Sequence, residues 1–257
     1  MLYDVLNSYK AFLETKYTAE TVKKYLNRLE ILLQGQNLNF TAENIDISKV
    51  LNKLAEIKYK NHFSQSKNAF LHFCKFLKFT LTDDDLKQIE KLESATKKKY
   101  RKLKTLNFKD VEKKIKGLKN QKLKYGYQVM FATGLRVSEL SQITCDDCLI
   151  TEAEITFCFI GKGGKAETTK LSKNEHSKLY INLVDMIANL KTSQKVFYSA
   201  IYMQTNAKKL GFTCHDLRRF CAKMEYKKFR SKAKVKDKLR HSSIKNTNIY
   251  LRNKLKI

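Results

Sequence analysis

The chain opens with apolar residues spaced three and four apart: Leu2, Val5, Leu6, Tyr9, Phe12 and Leu13 share one face of a helix. A second helix is predicted behind Thr18, a residue type that caps helices, with Val22, Tyr25, Leu26, Leu29 and Leu33 as its buried stripe. Ile47, Val50, Leu51 and Leu54 predict a third. A fourth is expected to begin near Ser64 and to bury Ala69, Phe70, Phe73, Phe76 and Leu77. The acids of Thr82-Asp83-Asp84-Asp85 suit the positive end of a fifth. No alternating pattern interrupts this series, so residues 1–95 predict a small helical bundle.

The periodicity then stops at Lys97-Lys98-Lys99-Tyr100-Arg101-Lys102-Leu103-Lys104. A like-charge run of this kind forms a solvated linker, here assigned to residues 96–105, and it can also cross a DNA backbone. Lys97, Lys98, Lys99, Arg101, Lys102 and Lys104 are therefore candidate DNA contacts. Residues 106–257 form the second predicted domain. Helical patterns cover about 107–118 and 122–133, where Gly134 ends the second, and a short helix starts at Val137. From Glu154 to Leu171 the period changes to two: Ile155, Phe157 and Phe159 alternate, Gly161-Lys162-Gly163-Gly164 makes a turn, and a Thr-rich strand returns. Helices resume at about 173, with one short apolar stretch, Val196-Phe197-Tyr198, between them. The expected class is mainly α with a small antiparallel β-sheet.

Composition adds a partner. At 257 residues and 42% hydrophobic, the chain can bury two cores. The 52 Lys and Arg outnumber the 25 Asp and Glu, giving a formal charge of +27 spread along the chain. Such an excess points to a polyanion, with nucleic acid first and a ribosomal or membrane-surface role as the plainer alternatives. No apolar run approaches the ~18 residues that span a bilayer, and the amphipathic N-terminus has no signal-peptide core. The scattered cysteines 74, 145, 148, 158, 214 and 221 suit a reducing cytoplasm, the expected location. Cys145-Asp146-Asp147-Cys148 has no second pair at zinc-ribbon spacing and is read as chance, so neither metal nor cofactor is expected. Lysine is far commoner than arginine, which occurs only eight times. Each Arg is thus a candidate for planar phosphate recognition.

Four segments carry candidate chemistry. Arg136 follows a helix-ending glycine and precedes a helix start, where anions are favoured. His215 and Arg218, three apart, share a helical face. The two arginines can together grip one phosphate, and Lys162 at a hairpin tip can reach a groove or a leaving oxygen. The sequence offers no carboxylate constellation for two metals and no Walker loop, so phosphate chemistry here would rest on cationic side chains. Each piece alone has a plainer reading. An Arg at a helix start makes surface ion pairs, Gly-Lys-Gly-Gly is a turn, His241 is a satisfied surface histidine, and a Tyr between Ile249 and Leu251 is core.

In this order, however, the segments resemble the tyrosine recombinase (phage integrase) family, especially its compact Xer-like members. Ala132-Thr-Gly-Leu-Arg-Val-Ser-Glu-Leu140 is similar to the first arginine box, Ile160-Gly-Lys-Gly163 to the β-hairpin lysine, His215-x-x-Arg218 to the second box, and His241 with Tyr250 to the third. The resemblance covers about 105–257, and more weakly the helical core-binding (SAM-like) domain over 1–95. It implies that Tyr250 attacks the scissile phosphate to give a 3′-phosphotyrosyl enzyme. Arg136 and Arg218 would neutralise the phosphate, Lys162 would protonate the 5′-oxygen with His215 as acid/base partner, His241 would bond a phosphate oxygen, and Glu139 would orient the cluster. Lys165 rivals Lys162, since the hairpin register is open. Lys165, Arg219 and Arg240 join the candidate DNA contacts. Arg240 departs from the family pattern, which has Gly before this histidine. The implied partner is double-stranded DNA with short recombination sites, bound by a homo-tetramer that works through a Holliday junction. A type IB topoisomerase-like strand transferase and a catalytically silent DNA-binding protein are the alternatives.

Overall fold

The amphipathic stretches of the first hundred residues fold as helices in the computed structural model, which describes residues 2–36, 45–97, 106–161 and 163–252. Two units result, Met1–Lys102 and Leu103–Ile257. The first contains α1 (Leu2–Glu14), α2 (Ala19–Leu33), α3 (Ile47–Ala55), α4 (Lys60–Phe76) and α5 (Asp83–Ala95). Their stripes converge on one core: Val5, Tyr9 and Leu13, Leu29 and Leu33, Val50 and Leu54, Phe63, Phe70 and Phe73, and Ile89. Tyr9 is fully buried, so its hydroxyl needs a partner, and it finds His72 Nδ1 at 2.7 Å.

Two helix starts differ from expectation. Thr18 occupies the cap position of α2 but its hydroxyl makes no bond to the backbone of the first turn, meeting Thr21 Oγ1 at 3.1 Å instead. The fourth helix begins at Lys60, four residues before Ser64, because Phe63 belongs to its buried face and extends the stripe backwards. Ser64 serves another purpose, donating to Glu93 Oε1 on α5 at 2.9 Å. α5 starts as expected, with Thr82 and Asp85 bonding each other's backbone amides.

The second unit runs α6 (Phe108–Lys116), α7 (Gln121–Thr133), α8 (Val137–Leu140), β1 (Cys148–Ile150), β2 (Glu154–Ile160), β3 (Ala166–Ser172), α9 (Lys173–Ala188), α10 (Ala200–Lys209), α11 (Cys214–Phe229), α12 (Lys232–Lys238) and α13 (Ile244–Leu251). The three strands form an antiparallel sheet in the order β1-β2-β3. β2 and β3 pair from Glu154 with Ser172 to Ile160 with Ala166, which turns Ile155, Phe157 and Phe159 inward. β1 is an addition to the sequence reading: Cys148, Leu149 and Ile150 pair with Phe157, Thr156 and Ile155. Three residues are too few to display a period, and Leu149 and Ile150 stay exposed. The Cys145 and Cys148 thiols point to separate carbonyls, of Lys191 and Thr144, and remain free.

α7 lies along α11 and behind the sheet, at the centre of a core built on Tyr127, Val129, Met130, Leu135, Phe157, Leu183, Leu217 and Phe220. A smaller cluster, Cys221, Ala222, Val235 and Leu239, joins α11 to α12, and Tyr250 and Leu251 pack against it. α13 is thereby held against the buried side of α11. Among the described residues no helix is long and apolar enough to cross a membrane.

Candidate active site

The site begins where α7 stops. Gly134 takes a left-handed φ of +69°, and a Cβ there would come 2.5 Å from Leu239 Cδ2, so both conformation and space require glycine. The chain then buries Leu135 and presents Arg136 at the N-terminal cap of α8. Glu139, only 3% exposed, accepts from the Arg136 amide at 2.8 Å and pairs with the Arg136 guanidinium. Burial by itself would raise the Glu139 carboxyl. The Arg136 amide and guanidinium, with the charge of Arg240, outweigh that effect and hold it below its ordinary range.

α11 supplies the next pair. Thr213 and Asp216 cap its first turn reciprocally, which sets the direction in which His215 and Arg218 leave the helix. Arg218 is completely buried, and its two terminal nitrogens donate to the carbonyls of Gly134 and Leu239. Its Nε has no hydrogen-bond partner among the described residues. Burial, reinforced by Arg136, lowers its pKa to about 10, so it stays charged at neutral pH. An arginine locked by two backbone carbonyls is a preformed cation that needs little reorganisation to meet an anion.

The turn from α12 to α13 completes the cluster. Arg240 has a φ of +52°, and the next residue, His241, is 7% exposed. His241 Nδ1 shares a hydrogen bond with the fully buried Thr247 Oγ1 at 2.9 Å, which fixes the ring and frees Nε2. Two turns later Tyr250 lays its ring edge-on to His241, with centroids 4.7 Å apart, and its hydroxyl reaches His215 Nε2 at 2.9 Å. Arg136, His241, Asn246, Ile249 and Tyr250 line one cleft of about 180 Å³. A neighbouring cleft of about 320 Å³ is bordered by Arg136, His215 and Arg218, with Ser138, Gln204 and Lys208 on its rim.

Both imidazoles are neutral at pH 7. For His241, burial followed by the charges of Arg218 and Arg136 pushes the pKa down to about 4. His215 keeps an exposed edge. Desolvation by its neighbours, then Arg219 and Arg218, still brings it to about 4. A neutral His215 can accept a proton through the nitrogen that faces the Tyr250 hydroxyl.

The structure thus brings together Arg136, Glu139, His215, Arg218, His241 and Tyr250 within one unit. Lys162 lies outside the described residues, as do Lys98, Lys99, Arg101, Lys102 and Lys104. Lys165 is exposed beside the hairpin turn, where its carbonyl accepts from Gly161 at 2.7 Å. Lys97 is exposed, and its backbone bonds to Lys58 and Lys60. Arg219 and Arg240 are drawn inward by carboxylates. Arg219 pairs with Asp216 at 2.9 Å, and Arg240 pairs with Glu139 and Glu167 at 3.3 and 3.0 Å. Thr247 and Glu167 were not singled out from the sequence. A Thr inside Asn246-Thr247-Asn248 and a Glu on a Thr-rich strand carry no local signal of what they touch.

The phage integrase family model matches residues 85–256. A comparison with curated proteins gives no match. Solved structures do match. A lambda integrase tetramer bound to a Holliday junction has a TM-score of 0.67 at 15% identity, over 98% of this chain and 78% of that one. The Tn1549 transposon integrase in complex with circular intermediate DNA gives 0.65 at 16% identity, over 96% and 94%. The XerH site-specific recombinase bound to its difH substrate gives 0.62 at 17% identity, over 89% and 74%. At these identities the likeness is one of fold, that of tyrosine recombinases.

Proposed function

The chain belongs to the phage integrase family, and we propose from that premise that it is a site-specific recombinase that cuts and rejoins DNA through Tyr250. The observation that carries this reading is the hydrogen bond from the Tyr250 hydroxyl to a neutral His215, beside two arginines and a second neutral histidine.

The phenolic oxygen of Tyr250 attacks the scissile phosphorus, and its proton passes to His215 Nε2. Charge that develops on the non-bridging oxygens is met by Arg136 and Arg218, and His241 donates to one of them. The bond from phosphorus to the 5′-oxygen breaks. The 5′-oxygen takes its proton from Lys162, or from Lys165 if the hairpin presents that residue instead. The product is a 3′-phosphotyrosyl enzyme and a free 5′-hydroxyl. Because the phosphodiester bond is exchanged for another phosphodiester, a 5′-hydroxyl from a second strand can reverse the step and join new partners. Tyr250 meets His215 of its own chain, an arrangement that favours cleavage within one protomer.

The charge of +27 favours duplex DNA as the substrate, and Lys97 to Lys104 would contact its backbone. Lambda integrase has been solved as a tetramer on a Holliday junction, and the same assembly is proposed for this chain on two short recombination sites. The test is a nicked suicide duplex, from which the short 5′-hydroxyl fragment diffuses away after cleavage. Wild-type protein should yield an SDS-resistant protein–DNA adduct, in chelator and without nucleotide, and Tyr250→Phe should yield none. An adduct of equal yield from that variant would sink the assignment.

A further inference from the structure

Arg240 stands where the resembled family has glycine, and its φ of +52° shows why glycine suits the position. A large cation has been accepted there against the preference of the backbone, so its side chain merits an account. It does not extend into solvent. Its guanidinium carbon sits 5.0 Å above the Phe159 ring, and its side chain is 14% exposed. Nη2 lies 3.3 Å from Glu139 Oε2, and Nε faces Glu167 Oε2 as an ion pair at 3.0 Å.

These contacts are not scattered. Phe159 and Glu167 are direct cross-strand partners, so Arg240 grips one rung of the β2–β3 hairpin from both strands. Only the Ile160–Ala166 pair separates that rung from the turn. The Glu167 carboxyl carbon lies 2.6 Å from where a Cβ on Gly161 would stand, so Gly161 leaves room for the carboxylate across the hairpin neck. Gly161 immediately precedes Lys162. On its other side Arg240 shares Glu139 with Arg136. One side chain therefore joins the turn before His241, the carboxylate that holds Arg136, and the neck of the hairpin that carries the lysine.

We propose that Arg240 is a positioning residue that fastens the β2–β3 hairpin to the phosphate-binding cluster and so sets where the hairpin lysine is delivered. It also pairs with the Glu167 carboxylate at the hairpin neck and compensates its charge. Nη2 bonds Glu139, Nη1 bonds the Lys238 carbonyl at 3.3 Å, and Nε is buried beside Glu167 as an ion pair without a hydrogen bond, so the guanidinium acts through the hairpin and not as a further ligand of the DNA. The catalytic half of this inference rests on the recombinase reading; the fastening itself does not.

Arg240→Gly supplies the residue that tolerates this backbone, so the variant should fold. Two measurements follow, with Arg240→Lys, Glu167→Gln and the double variant Arg240→Gly/Glu167→Gln alongside. Amide hydrogen exchange in the DNA-free protein reads the hairpin neck, including the Gly161 amide bonded to Lys165. Single-turnover adduct formation on saturating nicked duplex reads the chemistry, and DNA affinity is measured separately. In Arg240→Gly, neck exchange should rise about tenfold or more. Adduct formation should slow about tenfold or more at nearly unchanged affinity. Glu167→Gln should move both in the same direction, the double variant should be no worse than Arg240→Gly, and Arg240→Lys should recover part of the loss. Unchanged exchange in Arg240→Gly overturns the fastening whatever the protein's activity. A loss seen wholly as weaker DNA binding makes Arg240 a DNA ligand instead, and multiplied effects in the double variant separate it from Glu167. Absence of adduct from the wild type would count against the recombinase reading alone, with the exchange result still deciding the fastening.

Discussion

Gly134→Ala tests the architecture of the site at its most confined point. The new methyl incurs two separable costs. The first is the left-handed backbone, since φ is +69° there and a residue with a Cβ gives up about 1–2 kcal/mol in that region. The second is collision, because the methyl would stand 2.5 Å from Leu239 Cδ2 and 3.2 Å from Cys221 Sγ, inside a buried cluster. Overpacking of this kind costs about 1–3 kcal/mol. Together they predict a loss of about 2–5 kcal/mol, or some 6–15 °C at roughly 3 °C per kcal/mol for a unit of this size. Gly211→Ala is the matched control: it also follows a helix at positive φ, +85°, but its Cβ would meet only Lys114 Nζ, at an ordinary contact distance of 3.5 Å. Gly211→Ala should show the backbone cost alone. The functional consequence is specific as well. Gly134 and Leu239, the two residues the methyl would push apart, are those whose carbonyls hold Arg218. Adduct formation should therefore fall about tenfold or more in Gly134→Ala and stay near wild type in Gly211→Ala. The assay is urea unfolding followed by far-ultraviolet circular dichroism, since the chain has no tryptophan, with single-turnover cleavage beside it. If Gly134→Ala is no less stable than Gly211→Ala, the close approach of α7 to Leu239 is wrong, and the account of how Arg218 is held goes with it.

Two further predictions concern the histidines. The proton affinity of His241 is depressed to about 4 in the folded protein, against about 6.5 in an unfolded chain. The folded state thus binds fewer protons between these values, and the stability this contributes is present above pH 6.5 and lost as pH falls toward 4, by at most about 3 kcal/mol. Urea midpoints at pH 7.5 and 5 should show the loss, and His241→Asn should reduce it. An equal pH dependence in that variant would place its origin elsewhere. Thr247→Val removes the partner of His241 Nδ1 from a fully buried position, at a cost of about 1–3 kcal/mol. It should also slow adduct formation about tenfold, by letting the ring turn. Normal cleavage by a correctly folded Thr247→Val would show that Thr247 does not orient the ring.

How much of this could be read from the sequence depended on the range of the interaction that decided each feature. The helical stripes were legible because burial imposes a 3.6-residue period, and Tyr9, Leu29, Val50, Phe70 and Phe73 all lie at 0% exposure. The start of α4 was missed by four residues because Tyr59 gives no side-chain cap to announce it. β1 was missed because three residues cannot show a period. Arg136, His215, Arg218, His241 and Tyr250 were legible as a set through their ordered resemblance to a family, and through no property of any one of them. What the resemblance did not convey was contact. That Arg218 bonds two backbone carbonyls and that Arg240 reaches Glu167 depend on segments from 21 to 84 residues apart, and that Thr247 holds His241, six residues away, depends on how the turn between α12 and α13 folds.

The charge balance of the cluster explains a further choice of residue types. On the proposed reading its attraction for phosphate comes from guanidinium groups, which stay charged throughout the physiological range even where burial brings Arg218 to about 10. Burial first, and those same charges second, keep His215 and His241 neutral. Were the imidazoles the source of positive charge, the site would lose its hold on DNA as pH rose and would have no base to receive the phenolic proton. With arginine as the fixed cation, the imidazoles are free for proton transfer. On the proposed reading a bound phosphodiester places a negative charge against the arginines and offsets their share of the depression of His215, burial supplying the larger share. On that reading, to the extent that this charge share is relieved, the affinity of His215 for the Tyr250 proton is higher on DNA than in the free protein.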